Sequence, residues 1–154
     1  FDSATDSKAA RTYLEEMGVE YVNRKVETAK GYGNSITLDL VGQVRTGSLN
    51  RVSVRGTVAE QTMMISRIND FNKLYIEPVG HTLVFQYDDR PGVVGAIGVK
   101  LAAAGINIED VRHAHDLKSN NSLAIIRVNT LPGDAVIDAI GLEIKASVAF
   151  GVTL

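Results

Sequence analysis

Apolar residues fall into two rhythms along this chain, and the change of rhythm divides it. In TDSKAARTYLEEMG, residues 5–18, Ala10, Tyr13, Leu14 and Met17 recur at helical spacing, and Gly18 stands where a helix commonly ends. Asp6 or Ser7 can cap its start. VEYVNRKVE then reads as a strand, and KGYGN breaks it with turn-forming glycine and asparagine. SITLDLVGQV sets Ile36, Leu38 and Leu40 against Thr37 and Asp39, an alternation that predicts a strand with one buried face. After the turn RTGSLN, Val52 and Val54 alternate with Ser53 and Arg55. MMISRI and KLYIEP follow as strands around NDFN, a hairpin turn. Residues 1–79 are therefore expected to form a helix followed by a mainly β segment.

A second unit begins near Gly80. HTLVFQY is apolar and β-rich, and an Asp-Arg-Pro-Gly turn follows it. Val94, Ile97, Leu101 and Ala104 then form one helical face, and Gly105 ends that helix. INIEDVRHAHD reads as a strand, LKSNNS as a turn and LAIIRV as a strand. A short helix near Asp134–Ile140 and a last strand, IKASVAFGV, complete the order β-α-β-β-α-β. That order describes an α+β, ferredoxin-like domain over residues 80–154, a four-stranded antiparallel sheet with two helices on one face.

Composition adds mostly exclusions. A chain of 154 residues can bury a real core. A net charge of −2, with no lysine–arginine block, speaks against nucleic acid as a partner. No apolar run is long enough for a membrane span, and no signal-peptide pattern is present, so a cytoplasmic location is expected. The absence of cysteine removes disulfides, thiolate metal sites and cysteine nucleophiles together. Phe1 stands where a native start would be methionine, so the chain is expected to be a piece of a longer polypeptide or to have lost its beginning.

YDDRPGVVGAIGVKLAAAGINI, residues 87–108, carries four of the fourteen glycines. Gly92, Gly95 and Gly98 give G-x-x-G-x-x-G, not the dinucleotide spacing G-x-G-x-x-G, and Lys100 lacks the setting of a P-loop lysine. A helix start accounts for more. Asp89 or Arg90 falls where an N-cap belongs, Pro91 suits the first turn, and Gly92 admits a close approach. Gly95 and Gly98 weaken a helix and make sense if it must lie unusually close to a sheet. Unpaired amides at such a start suit a carboxylate, Asp89 suits an ammonium, and Asn107 can donate and accept. Blander roles remain open: Asp89 as a cap, Asn107 as a turn residue, Tyr87 as packing. His113 and His115 share a strand face without an obvious third metal ligand. Arg45, Arg51, Arg55 and Arg67 read as a solvated face spread over several strands.

The run Asp89-Arg90-Pro91-Gly92, an apolar helix, then Gly105-Ile106-Asn107-Ile108 resembles the signature of the ACT domain, a regulatory module of amino-acid metabolism. The wider run VRGTVAEQTMMISRINDFNKLYIEPVGHTLVFQYDDRPGVV is similar to the C-terminal regulatory part of the D-3-phosphoglycerate dehydrogenase family. That family oxidises 3-phosphoglycerate with NAD in the first committed step of serine synthesis. The resemblance covers nearly the whole chain, most specifically Arg51 to Val128. It implies an allosteric substrate-binding domain, in part, over residues 1–79 and an ACT domain over 80–154. It further implies L-serine, or a similar amino acid, held between subunits by Tyr87, Asp89, Arg90, Pro91, Gly92, Val93, Val94 and Asn107.

No catalytic residue, metal ligand or cofactor site is expected within the chain itself, and NAD would belong to a catalytic part outside it. The resemblance implies a homo-oligomer joined through ACT domains and feedback inhibition by serine. A purely structural oligomerisation module and a regulatory subunit of an L-serine dehydratase stand as alternatives. The dehydratase reading suffers because its iron–sulfur forms need cysteine ligands, which this chain does not supply.

Overall fold

The computed structural model describes residues 7–18, 20, 35–43 and 49–154. Residues 1–32 and 33–154 form two compact units. In the first, α1 (Ser7–Glu16) stops where the sequence places a stop. Gly18 takes φ +73, and its N–H donates to the Glu15 carbonyl at 3.0 Å. Asp6, the expected strand VEYVNRKVE apart from Glu20, the turn KGYGN and residues 44–48 lie outside the described residues.

The second unit opens with an antiparallel meander: β1 (Ser35–Gln43), β2 (Leu49–Ala59), β3 (Thr62–Ile68) and β4 (Phe71–Ile76), in that order across the sheet. Glu60 and Gln61, both at positive φ, make the two-residue turn between β2 and β3, matching the twist a tight hairpin requires. The NDFN turn narrows to Asn69 and Asp70, with Phe71 and Asn72 already in β4. Register sets Leu40 beside Val52, Leu38 beside Val54, Val54 beside Ile68, and Ile68 beside Phe71. That face is apolar from edge to edge.

Only one end of it is buried. Phe71, Leu74 and Ile76 close on Leu123 and Ile125, whereas Ile36, Leu38 and Leu40 remain 79%, 56% and 53% exposed. The strand expected at SITLDLVGQV is present, but its buried face is not. Alternation reports which residues share a side; it cannot report how far the backing layer extends. Here the backing reaches β3 and β4 and leaves β1 bare.

The remainder is the expected βαββαβ unit: β5 (His81–Asp88), α2 (Val93–Ala103), β6 (Ile108–Asp116), β7 (Asn121–Val128), α3 (Asp134–Ile144) and β8 (Val148–Thr153). Its sheet order is β6-β7-β5-β8, antiparallel throughout. Leu83, Phe85 and Tyr87 face the helices together with Ala124, Ile126 and Val128. Val93, Ile97 and Leu101 of α2 and Ile137, Ile140 and Ile144 of α3 complete this core. Burying each such side chain stabilises by about 1.5–3 kcal/mol.

Three expectations change here. Val93, not Val94, begins the buried face of α2, and Val94 stays 41% exposed. A Cβ added at Gly95 or Gly98 would meet no atom within 4 Å, so neither glycine serves a close approach to the sheet. The last helix runs on to Ile144 and ends at left-handed Lys145, which delays β8 to Val148.

Gly151 is the glycine whose place is filled by its neighbours. A Cβ there would stand 2.8 Å from Leu131 Cδ1 and 2.9 Å from Ile137 Cδ1. Gly151→Ala should therefore destabilise the protein by about 1–3 kcal/mol. Gly95→Ala, in open space, should stabilise it by about 0.5–1 kcal/mol. Chemical denaturation of the two variants checks both signs.

Candidate functional site

Four residues, Asp89 to Gly92, carry the chain from the end of β5 into α2. Gly92 is the N-cap, at φ 88 and ψ −11, and no side chain caps the helix. The expectation of Asp89 or Arg90 as cap, with Pro91 in the first turn, is thus corrected: Pro91 lies outside the helix. A left-handed residue is needed at the cap, and glycine takes that conformation without strain. Ala96 N–H reaches the Gly92 carbonyl at 2.9 Å, so the amides of Val93, Val94 and Gly95 have no carbonyl inside the helix. They form the positive end of the helix.

Asp89 is fixed beside that end. Its Oδ1 accepts a hydrogen bond from Ser122 Oγ at 2.6 Å, and its N–H donates to the Asn120 carbonyl at 2.8 Å. Ser122 is fully buried within β7, although NNS reads as turn in the sequence. Serine among asparagines looks like punctuation; the apolar run that begins at Leu123 was the available signal that the strand had already started. Asp116 orders the same hairpin, accepting from the Lys118 and Ser119 amides and from Ser119 Oγ. The Ser119 hydroxyl, with those amides, holds the Asp116 carboxyl below its ordinary range.

Arg90 faces its own chain. Its guanidinium donates to the Asp88 carbonyl at 3.2 Å and to the carbonyl of Ile144, the last residue of α3. A cation at that helix end is favourable. Tyr87 is 1% exposed, and its hydroxyl has no hydrogen-bond partner among the described residues. Burial pushes the phenol's pKa up and the Asp89 charge adds to this, while Arg90 opposes it. The ring centroids of Tyr87 and His113 lie 6.3 Å apart. Among the described residues, no group of three histidine or carboxylate side chains is placed to hold a metal ion.

Asn107 lies elsewhere. Its backbone is tied to Asn129, through N–H to Oδ1 at 3.0 Å and carbonyl to N–H at 3.1 Å, and its side chain is exposed. Ile108, the next residue, is level with Val128 and His81, whereas Asp88 is level with Asn121 and Asp116. Eleven helical residues separate these ends, a rise of about 16 Å. Tyr87, Asp89, Arg90, Pro91, Gly92, Val93 and Val94 therefore gather at one end of α2, and Asn107 stands at the other.

The first sheet collects the arginines that look scattered in sequence. Arg55 pairs with Arg67 across β2 and β3, and Arg51 lies on the same face, forming an ion pair with Asp39 at 3.0 Å. Arg45 lies outside the described residues. Arg67 donates to Ser53 Oγ at 2.7 Å and to the Asn69 carbonyl at 2.6 Å. Arg51 and Arg67, but not Arg55, line a cleft of about 480 Å³ together with Asp39, Ser53 and Asp70.

With this geometry in place, the chain can be compared with known proteins. It is similar to a limited region of D-3-phosphoglycerate dehydrogenases. The Mycobacterium leprae enzyme is 31% identical over 54% of this chain and 16% of its own length. The Bacillus subtilis enzyme is 25% identical over 81% of this chain and 23% of its own. The Mycobacterium bovis enzyme is 30% identical over 60% of this chain and 19% of its own. The chain thus spans about a fifth of the length of these relatives. No protein-family model matches it. Among solved structures, a formyltetrahydrofolate deformylase from Pseudomonas syringae pv. tomato overlays with a TM-score of 0.41 at 25% identity, covering 51% of this chain and 29% of that one.

The hairpin beside Asp89 carries a pH dependence whose sign is fixed by Asp116. Its pKa is lower folded than unfolded, so its contribution to stability is present above the ordinary carboxylate range and is lost as pH falls through the folded value. The Lys118 and Ser119 amide resonances should shift together through that acid titration. Asp116→Asn should remove the step.

Proposed function

We propose, from the kinship with the D-3-phosphoglycerate dehydrogenases, that this chain is their regulatory region: an ACT domain binding L-serine between two copies, preceded by part of an allosteric substrate-binding domain. One observation carries the reading. A carboxylate, Asp89, is held by a hydrogen bond next to three open helix amides and a buried tyrosine hydroxyl that has no partner among the described residues. Amides for a carboxylate, and a carboxylate for an ammonium, are what a free amino acid requires. The Tyr87 hydroxyl gains most from a polar ligand, since a buried unpaired group costs about 1–3 kcal/mol.

Asn107 explains why two copies are needed. Within one chain it is too far from Asp89 to share a small ligand. β6 is an edge strand with no hydrogen-bonded neighbour on its outer side among the described residues. Two such edges paired antiparallel about a two-fold axis bring the start of one β6 against the end of the other. Asn107 of one copy then comes beside Asp89 of its mate, and the pair contains two equivalent pockets. A ligand touching both chains favours the arrangement that closes around it, and its differential affinity sets the inhibition. The parent polypeptide would be an NAD-dependent, cytoplasmic dehydrogenase whose nucleotide and substrate sites lie outside these residues.

A second reading, assembly without a ligand, draws on the same free edge. Calorimetric titration with L-serine separates the two. The first reading expects heat at up to millimolar serine and a rise in melting temperature; a paired chain that gives neither supports the second.

The shared pocket has a sharper test. Asp89→Ala and Asn107→Ala should each abolish binding in a pure sample. Mixing the two variants forms hybrid pairs in which one pocket lacks both groups and the other keeps both. Binding should therefore return at about one site per hybrid pair. No recovery in verified hybrid pairs would refute the shared pocket.

A further inference from the structure

Ser122 stands out in its row. On β7 the helix-facing positions are Ser122, Ala124, Ile126 and Val128, and Ser122 is the one polar member, with no exposure to solvent. It is level with Tyr87 on one side and His115 on the other. Alanine would fill such a position without burying a hydroxyl, and burial without a partner is costly. The hydroxyl's partner is a carboxylate at 2.6 Å, the short distance of a charge-assisted bond.

We infer that Ser122 is the positioning residue of the proposed site: its hydroxyl fixes the Asp89 carboxylate in the orientation that receives the ligand's ammonium. The inference rests on the amino-acid-binding reading above. A serine hydroxyl has one proton to give, and giving it to Oδ1 leaves Oδ2 open to a second donor. The Asp89 backbone is held as well, through its N–H to Asn120, so both ends of the side chain are constrained before any ligand arrives. Orientation set in advance is freedom the ligand need not remove on binding. Asp89 is thus the contact, and Ser122 acts through it.

Two substitutions in the full chain separate positioning from mere support, with L-serine as the titrant. Ser122→Ala should weaken binding about tenfold while the ligand-free protein still melts cooperatively. Ser122→Thr keeps the hydroxyl but adds a methyl to a filled core. It should lower the melting temperature yet hold the affinity within about threefold of the parent. A supporting role cannot give that crossed pattern, because affinity would follow stability in both variants. Parent-like affinity in Ser122→Ala, or affinity falling in step with melting temperature in the two variants, overturns the inference and leaves the serine site standing. Should the threonine variant not fold, the alanine titration against the parent decides alone. A parent protein that shows no serine binding removes the site itself, and this inference with it.

Discussion

Val93, Ile97 and Leu101 press on the helix-facing row of β5, and the position of every group at the candidate site follows from that dry contact. Once the apolar side of α2 is locked, the start of the helix has a fixed height above the end of β5. Four residues must cover the gap and turn sharply, which Gly92 allows. Arg90 then ties the turn to the end of α3, and Asp89 ties it to the hairpin between β6 and β7. A short loop thus becomes a rigid one, braced from three elements.

The two sheets of the second unit use their faces differently. In the C-terminal sheet both faces are covered over the middle strands, by helices on one side and by β4 on the other. The meander has a polar face of charged side chains and hydrogen bonds and an apolar face only partly covered. Ser53 shows how firmly the polar face is knit: its N–H, carbonyl and hydroxyl engage Asn69 and Arg67. The Ser53 hydroxyl and Arg51 also hold the Asp39 carboxyl below its ordinary range.

Much of this was legible in the residues. The switch from period two to period three or four, and back, marked β5, α2, β6, β7, α3 and β8 in the right order. Gly18 and Gly105 marked helix ends because a left-handed residue there has a local cause, and both take positive φ. The misreadings were contacts between positions far apart in the chain. Gly95 and Gly98 were expected to touch a sheet, but they lie on the outward side of α2, which short-range spacing did not reveal. Arg90 meets a carbonyl 54 residues away, and Ser122 meets a carboxylate 33 residues away. Local patterns carry no record of such meetings. The apolar row of β1 failed for a related reason, since its cover depends on the reach of another sheet.

Gly151 bears on how the last strand finds its place. It sits opposite Leu83, in a slot that Leu131 and Ile137 narrow until no side chain fits. If β8 slid by two positions along β5, Ala149 or Thr153 would enter the slot with a Cβ that has nowhere to go. A slide by one would turn Phe150 or Val152 inward, an even larger intrusion. The missing methyl group therefore acts as a notch that admits one alignment and rejects its neighbours. Since β8 joins β5 across some sixty residues of chain, such a notch spares the folding protein from sampling near-miss pairings at its most distant seam.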